Sequence, residues 1–369
     1  MNHKSQKIIS AGRIFTGEQW LNDHCLVVSD GIITDIIPRS DIPAESLTLD
    51  YPDDILCPAF IDIQLYGAAG RLLAVYPDTK TLEVIRDYSG AGGAWLSLPT
   101  IATNTRACME KCIDAVRDYM ATGGEGIAGI HLEGPWINPV KRGAHIEALI
   151  HQPSLKEVKE ILDYGKDVIR MITLAPEQCS REVVDLIRSY GVICSAGHSN
   201  ASYAEAMQAF DHGFTTVTHL YNAMSALQHR APGMVGAVMD HPSVMASIIP
   251  DGHHVDYAAI RIAKKIMGER LFVITDAVTE SHEGYYPHQP AGDKFESGGI
   301  LSGSALTMLQ AAHNLVEKAG LEWEEAIRMC SVYPARVLQM DHLYGRIAKG
   351  CLTKLLVLNK NYQLKDLIV

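Results

Sequence analysis

Two histidines and a glutamate stand where apolar runs of this sequence end. Glu133 lies in His131-Leu-Glu-Gly-Pro-Trp-Ile-Asn138, His198 in Ser195-Ala-Gly-His-Ser-Asn200 and His219 in Thr218-His-Leu-Tyr-Asn222. Two imidazoles and one carboxylate, with a coordination position left open, form the pattern of a catalytic rather than a structural metal site. Nitrogen and oxygen donors without thiolates suit one divalent ion such as Zn or Fe. A fourth run, Phe272-Val-Ile-Thr-Asp-Ala277, ends on Asp276. A carboxylate there can act as a general base, taking a proton from water and later giving it to a leaving group. Each residue alone has a plainer reading, since a lone histidine is usually structural and Asp often caps a helix. Their shared placement at strand ends favours chemistry.

Three further residues join them by position. His145, in Lys141-Arg-Gly-Ala-His145, follows Glu133 on the same loop and can polarise a carbonyl. His254, in Asp251-Gly-His-His-Val255, and Arg230, in Gln228-His-Arg-Ala-Pro-Gly233, can hold an anionic group. Gly298-Gly299 and Ser302-Gly-Ser304 precede a helical stretch, but their order matches neither nucleotide-binding fingerprint, so a tight turn and cap are expected.

What must position these residues is a series of alternating elements. Apolar, strand-like runs recur at 59–64, 94–98, 127–132, 168–174, 192–195, 214–218, 244–249 and 271–275. Between them lie amphipathic stretches such as 104–120, 154–164, 180–190, 202–211 and 255–267, several opening on Ser, Asn or Asp. Eight β/α units in one run argue for a closed (β/α)8 TIM-like barrel over an open doubly wound sheet. Catalytic groups at the carboxyl ends of strands agree with that fold.

Residues 1–57 read as short strands, with Ser29-Asp-Gly31 as a hairpin signal between Cys25-Leu-Val-Val28 and the run 32–37. The barrel is expected over 58–342, with helices at 305–319 and 322–332 and a Gly-rich loop at 281–299 long enough to be a lid. Residues 343–369 regain strand character at 345–350 and 355–358, and should rejoin the N-terminal strands as a small β-sandwich domain.

The chain has 369 residues, 47% of them apolar, enough for a large core. Its charge is 32 − 43 = −11, without long blocks of one sign, which excludes a basic nucleic-acid surface. Neither a signal peptide nor an apolar stretch able to span a bilayer is evident. Eight scattered cysteines include no Cys-x-x-Cys pair, and Cys108 with Cys112 reads as packing on one helix face. A reducing cytoplasm fits best, with no membrane partner.

Taken in order, Pro58-Ala-Phe-Ile-Asp-Ile-Gln64, His131-Leu-Glu-Gly-Pro135, Ser195-Ala-Gly-His-Ser-Asn200, Thr218-His-Leu-Tyr-Asn-Ala-Met224, Asp251-Gly-His-His-Val255, Thr275-Asp-Ala277 and Ser302-Gly-Ser304 resemble the N-acetylglucosamine-6-phosphate deacetylases of the amidohydrolase superfamily. The likeness runs over essentially the whole chain. It implies hydrolysis of the acetamide of N-acetylglucosamine 6-phosphate to acetate and glucosamine 6-phosphate. By the same likeness Glu133, His198 and His219 are the metal ligands, Asp276 the catalytic acid and base, and His145 the carbonyl-polarising group. Gln64, Ala144, Asn222, Ala223 and His254 fall at substrate-binding positions. Arg230 matches an arginine that reaches the phosphate bound to a neighbouring subunit, implying a homodimer.

The sequence also departs from its relatives. Many superfamily members carry His-x-His after the first strand and bind two metals; here the stretch is Gln64-Leu-Tyr66, so a second metal should be weak or absent. Two rival expectations remain. One is the same chemistry on another sugar, such as N-acetylgalactosamine 6-phosphate; the other is a non-catalytic barrel that binds a sugar phosphate.

Overall fold

The computed structural model describes residues 7–42 and 47–369. At its centre are eight parallel strands: Phe60–Leu65, Ala94–Ala102, Ile130–Glu133, Ile169–Leu174, Ile193–Ala196, Phe214–Val217, Met245–Ile248 and Leu271–Val273. They lie side by side in chain order. The ring closes where the Asp276 amide donates to Gln64 O at 2.9 Å and the Tyr66 amide to Ala277 O at 2.8 Å. The chain therefore folds as the (β/α)8 barrel that its apolar runs lead one to expect. Phe60–Leu65, Ile130–Glu133 and Ile193–Ala196 are buried along their whole length. One face fills the barrel and the other lies under helices, so even the polar residues of these strands, Asp62, Gln64, His131, Glu133 and Ser195, are buried.

Helices Arg106–Ala121, Leu155–Gly165, Arg181–Ser189, Tyr203–Asp211 and Tyr257–Met267 occupy the five amphipathic stretches. Each starts on a side chain that accepts a hydrogen bond from the first turn: Thr105, Ser154, Ser180, Ser202 and Asp256. Ser202 and Glu205 satisfy each other's backbone donors as a capping box. Thr79–Ala91 and Gly233–Asp240 lie in the same outer layer, and Met308–Glu317, Trp323–Cys330 and Val332–Val337 follow after the eighth strand. In Gly233–Asp240 every residue but Asp240 is buried, so its sequence shows no polar face.

The two termini build a second, smaller β domain. Lys7–Phe15, Trp20–Asn22, His24–Ser29, Ile32–Pro38 and Leu47–Pro58 share one seven-stranded sheet with Leu355–Leu358 and Leu364–Ile368. Leu356 pairs with Cys57 in antiparallel register, fastening the end of the chain to the strand that leads into the barrel. Asp30 and Gly31 form the hairpin turn between paired Ser29 and Ile32, both at positive φ (51° and 73°), as the sequence suggests. Ile9, Ile14, Leu26, Ile33, Leu56 and Leu355 make this domain's core.

Two expectations are corrected. Residues 345–350 form no strand; Gly345 and Gly350 (φ 82° and 92°) turn the chain at both ends. The segment is nonetheless tied to the N-terminal strands, Ile347 N donating to Thr16 O and Gly350 N to Ile33 O. The expected tight turn is present at the glycine pair, but the expected helix cap at residues 302–304 is not. Gly298 and Gly299 (φ 57° and 78°) make a hairpin between Lys294–Ser297 and the strand Ile300–Ser304. The helix Met308–Glu317 is capped instead by Thr307. With Gln289–Pro290 these strands make a three-stranded flap after the eighth barrel strand.

All eight cysteines are unpaired. Cys108 and Cys112 donate to the carbonyls of Ala74 and Leu73 at 3.3 and 3.5 Å, which fits packing. Among the described residues no helix is long and apolar enough to cross a membrane.

Candidate metal centre and active site

Glu133 is the last residue of the third barrel strand, hydrogen-bonded between its neighbours in register with Ala102 and Thr173. His198 and His219 follow the fifth and sixth strands by two residues, and Asp276 follows the eighth by three. All three leave their strands through left-handed backbone, with φ of 47°, 37° and 55°. Side-chain-bearing residues seldom hold that geometry unless neighbours impose it. Here Ser247 Oγ accepts the His219 amide at 2.8 Å. Asn138 N donates to His198 O at 2.9 Å, and Ser304 N to Asp276 O at 3.0 Å.

The result is convergence. Glu133 Oε1 lies 3.2 Å from His198 Nε2 and 3.0 Å from His219 Nε2, and the two Nε2 atoms are 3.1 Å apart. Among the described residues these three form the group able to hold a metal ion. The donor chemistry fits one. His198 gives its Nδ1 proton to Lys141 O at 2.9 Å, which leaves its Nε2 lone pair bare and aimed at the others. Spacings near 3 Å are what three ligands about 2 Å from a common ion require.

Glu133 is buried, which favours its neutral form, yet the imidazoles of His145, His198 and His219 around it hold its carboxyl well below the usual range. Asp276 goes the other way. Burial raises it, opposed by the nearby His219 charge and assisted by that of Glu133. Two buried carboxylates in one cleft are thus pushed apart into an anion and a stronger base.

His145 is fixed as a donor. The Thr103 amide points at its Nδ1 from 3.3 Å, and an amide can only donate, so the ring proton sits on Nε2. That Nε2 lies 3.4 Å from Glu133 Oε2. Burial, with His198 adding, lowers the imidazole to about 4, so it stays neutral at neutral pH. Asp251 accepts from His254 Nδ1 at 2.6 Å and leaves the Nε2 of that ring 3.9 Å from Asp276 Oδ2.

Glu133, Ala144, His145, His198, His219, Asn222, Ala223, His254 and Asp276 all line one pocket of about 190 Å³. Gln64 stands behind its wall, donating to Asp276 Oδ1 at 2.8 Å and lying 3.1 Å from Glu133 Oε1. Arg230 is apart from the rest, exposed on the turn between Gln228 and Ala231 and outside the pocket. His131, the first residue of the motif that carries Glu133, points into the barrel instead, 2.7 Å from Thr173 Oγ1.

Sequence reasoning passed over several pocket residues. The flap contributes Tyr286, His288, Leu301 and Ser302. Tyr286 reaches across to Thr103 O at 2.5 Å, and His288 Nδ1 lies 2.8 Å from Ser302 Oγ. The signal available was the cluster Tyr285-Tyr-Pro-His288, aromatic and imidazole groups inside a polar, Gly-rich loop. Tyr66 was noted only as a departure, yet its hydroxyl donates to Glu133 Oε2 and lies 3.3 Å from Asp276 Oδ1.

Two family models match the chain, the amidohydrolase family over residues 55–369 and the NagA composite domain over residues 9–50. The N-acetylglucosamine-6-phosphate deacetylase of Haemophilus influenzae is 32% identical over 367 residues, covering 96% of each chain. The N-acetylgalactosamine-6-phosphate deacetylase of Escherichia coli O157:H7 is also 32% identical, over 93% of this chain and 92% of that one. Among solved structures, N-acetylglucosamine-6-phosphate deacetylase from Pasteurella multocida superposes with a TM-score of 0.94 at 33% identity, over 99% of this chain and 98% of that one.

Proposed function

The chain belongs to the amidohydrolase family, and from that premise we propose that it hydrolyses the acetamide of N-acetylglucosamine 6-phosphate, giving glucosamine 6-phosphate and acetate. The observation that carries this reading is the meeting of Glu133 Oε1, His198 Nε2 and His219 Nε2 in a pocket that also receives Asp276 and the Nε2–H of His145. Relatives that carry the deacetylase name match it along nearly their full length.

Glu133, His198 and His219 would hold one divalent ion, Zn or Fe by the character of the donors. Such an ion supplies Lewis acidity, acidifying a water and drawing charge from a carbonyl. The protein's own groups do the rest. Asp276, its Oδ1 tied to Gln64, takes the proton of the attacking water through Oδ2. His145 Nε2–H hydrogen-bonds the carbonyl oxygen as negative charge develops there. Asp276 then returns its proton to the departing amine nitrogen, and the amine leaves neutral. Acetate and the free amino sugar balance the water consumed.

The phosphate has to be met locally, because the chain as a whole is negative. His254 and the Asn222–Ala223 backbone line the pocket. Arg230 is exposed beside Leu227, which is 53% exposed; we assign it to the pocket of a second subunit in a homodimer. Eight unpaired cysteines agree with a reducing, cytoplasmic setting.

Acetate release from N-acetylglucosamine 6-phosphate, before and after chelation and on returning Zn or Fe, tests the reading. Metal-dependent release is expected; no release with any ion refutes it. The N-acetylgalactosamine 6-phosphate reading is favoured by the Escherichia coli relative's equal identity. The ratio of kcat/KM on the two sugars decides between them.

A further inference from the structure

We infer that Tyr66 is a positioning residue that restricts Glu133 to one ligating oxygen and fills the place a second cation would need. The inference rests on the metal-dependent reading above and deepens it.

Glu133 has two oxygens with different surroundings. Oε1 faces the imidazoles, 3.0 Å from His219 Nε2 and 3.2 Å from His198 Nε2, with the Gln64 amide beside it at 3.1 Å. Oε2 is turned from that pair and accepts the Tyr66 hydroxyl, with His145 Nε2 at 3.4 Å. A carboxylate whose second oxygen already holds an O–H donor ligates through the first. Asp276 is divided in the same way. Its Oδ1 takes Gln64 Nε2 at 2.8 Å with the Tyr66 hydroxyl at 3.3 Å, which leaves Oδ2 for proton transfer. The phenol thereby leaves each carboxylate with one oxygen turned to it and one turned away.

The same two groups occupy the space between the two carboxylates. Gln64 is next to last in its strand and Tyr66 follows the strand's end, and their side chains meet on the same side. The Tyr66 hydroxyl gives its proton to Glu133 and accepts from Gln64 Nε2 at 2.9 Å. Both partners are neutral donors, and a cation placed among them would meet N–H and O–H protons. Tyr66 is held at both ends, because its own amide closes the barrel on Ala277 O. Ring and backbone together make the clamp stiff.

The test is Tyr66→Phe, which keeps the ring and removes the hydroxyl. Wild type and variant are stripped of metal and reloaded with Zn(II) or Co(II). Ions per chain are then counted by mass spectrometry, affinity is read by competition with a chelating dye, and the Co(II) visible bands are recorded. We expect one ion per wild-type chain. In Y66F we expect binding weakened about 10- to 100-fold, the usual effect of removing a group that orients a ligand, and altered Co(II) bands as Oε2 becomes free to coordinate. Affinity within about twofold of wild type, with superposable spectra, overturns the inference. So do two ions per wild-type chain. Melting of the metal-free proteins should agree within about 3 °C; a large loss in Y66F would assign Tyr66 to the barrel seam instead. If the wild type binds no ion at this site, the metal-dependent reading itself falls, and that outcome is separate from a failure of the clamp.

Discussion

At the barrel mouth, His198, His219, Tyr221, Ala223 and Asp276 all hold left-handed backbone, with φ between 37° and 78°. In the terminal sheet the residues other than glycine with that geometry are Asp23, Asp30 and Tyr362, each in a turn between neighbouring strands. The two regions use the same backbone conformation for different ends. At Asp30 and Tyr362 it lets a strand reverse, and at Asp23 it joins two segments that run the same way along Lys7–Phe15. At the mouth it falls on two histidines, a tyrosine, an alanine and an aspartate, at about 1–3 kcal/mol each, and the gain is a set of converging polar atoms. The two Nε2 atoms lie 3.1 Å apart with Glu133 Oε1 beside both, an arrangement that suits three donors sharing one cation. The mouth has spent stability on geometry, whereas Ile14, Leu26, Ile33 and Leu56 in the sheet are fully buried apolar groups that supply stability alone. Damage to one region should therefore leave the other's property intact.

The largest separation should come from chelation. Removing the ion abolishes acetate release while far-ultraviolet dichroism is kept, because the barrel closes through backbone hydrogen bonds and not through the metal group. Melting temperature falls only by the binding free energy that is lost. A metal-free protein that unfolds at room temperature would mean that the mouth supports the fold, and the distinction between the regions would collapse.

Next is Asp276→Asn. The amide retains the volume and an acceptor for Gln64, but it cannot take a proton. We expect kcat to fall about 10²- to 10⁴-fold, the span of general acid–base catalysis, with metal content unchanged. Turnover within about tenfold of wild type would show that another group moves the proton.

The converse change is Leu56→Ala in the sheet. Leu56 is fully buried and lies in register with both Ile14 and Val357, between the chain's two ends. Truncation should cost about 2–5 kcal/mol by denaturant unfolding, while kcat per folded molecule stays within about twofold. A large fall in kcat at full metal occupancy would reveal that the sheet steers the mouth.

The metal group was legible in the sequence because each member ends an apolar run, and the barrel explains why such ends meet. The barrel strands were legible for a related reason: runs such as 59–64 and 271–275 are buried on both faces and so are rich in apolar residues. What lay beyond reading depended on partners distant in the chain. Tyr66 looks like a bulky departure until Glu133, 67 residues later, is seen to accept its hydroxyl. Ser302 sits in a stretch whose glycines suggest a turn, but the turn is completed at Gly298 and Gly299 and the serine falls within a strand. The loop 345–350 reads as strand by its Ile347, yet what holds it is hydrogen bonding to Thr16 and Ile33, near the other end of the chain.

Asp62 draws the line between chemistry and support most finely. It lies on the first barrel strand just behind the mouth, accepting from Thr275 Oγ1 at 2.5 Å, Thr275 N at 3.2 Å and Gln64 N at 3.3 Å. Unlike Glu133 it has no imidazole beside it. Burial raises it from 3.8 to about 7, against the pull of those hydrogen bonds and with some help from Asp276. The folded chain therefore holds this proton more tightly than the unfolded chain does. Below pH 4 both states are protonated and the contribution is full. As pH climbs from 4 towards 7 the unfolded state alone gives up the proton, so stability falls, by at most about 1.4 kcal/mol per pH unit. Asp62→Asn removes that slope while offering an oxygen to the two amides and an N–H to Thr275 Oγ1. We expect urea unfolding across this window to depend less on pH in the variant, with kcat changed only a few-fold. Parallel pH profiles for the two proteins would mean that Asp62 keeps its charge in the fold. A fall in kcat as deep as that of Asp276→Asn would move Asp62 from support into the chemistry of the mouth.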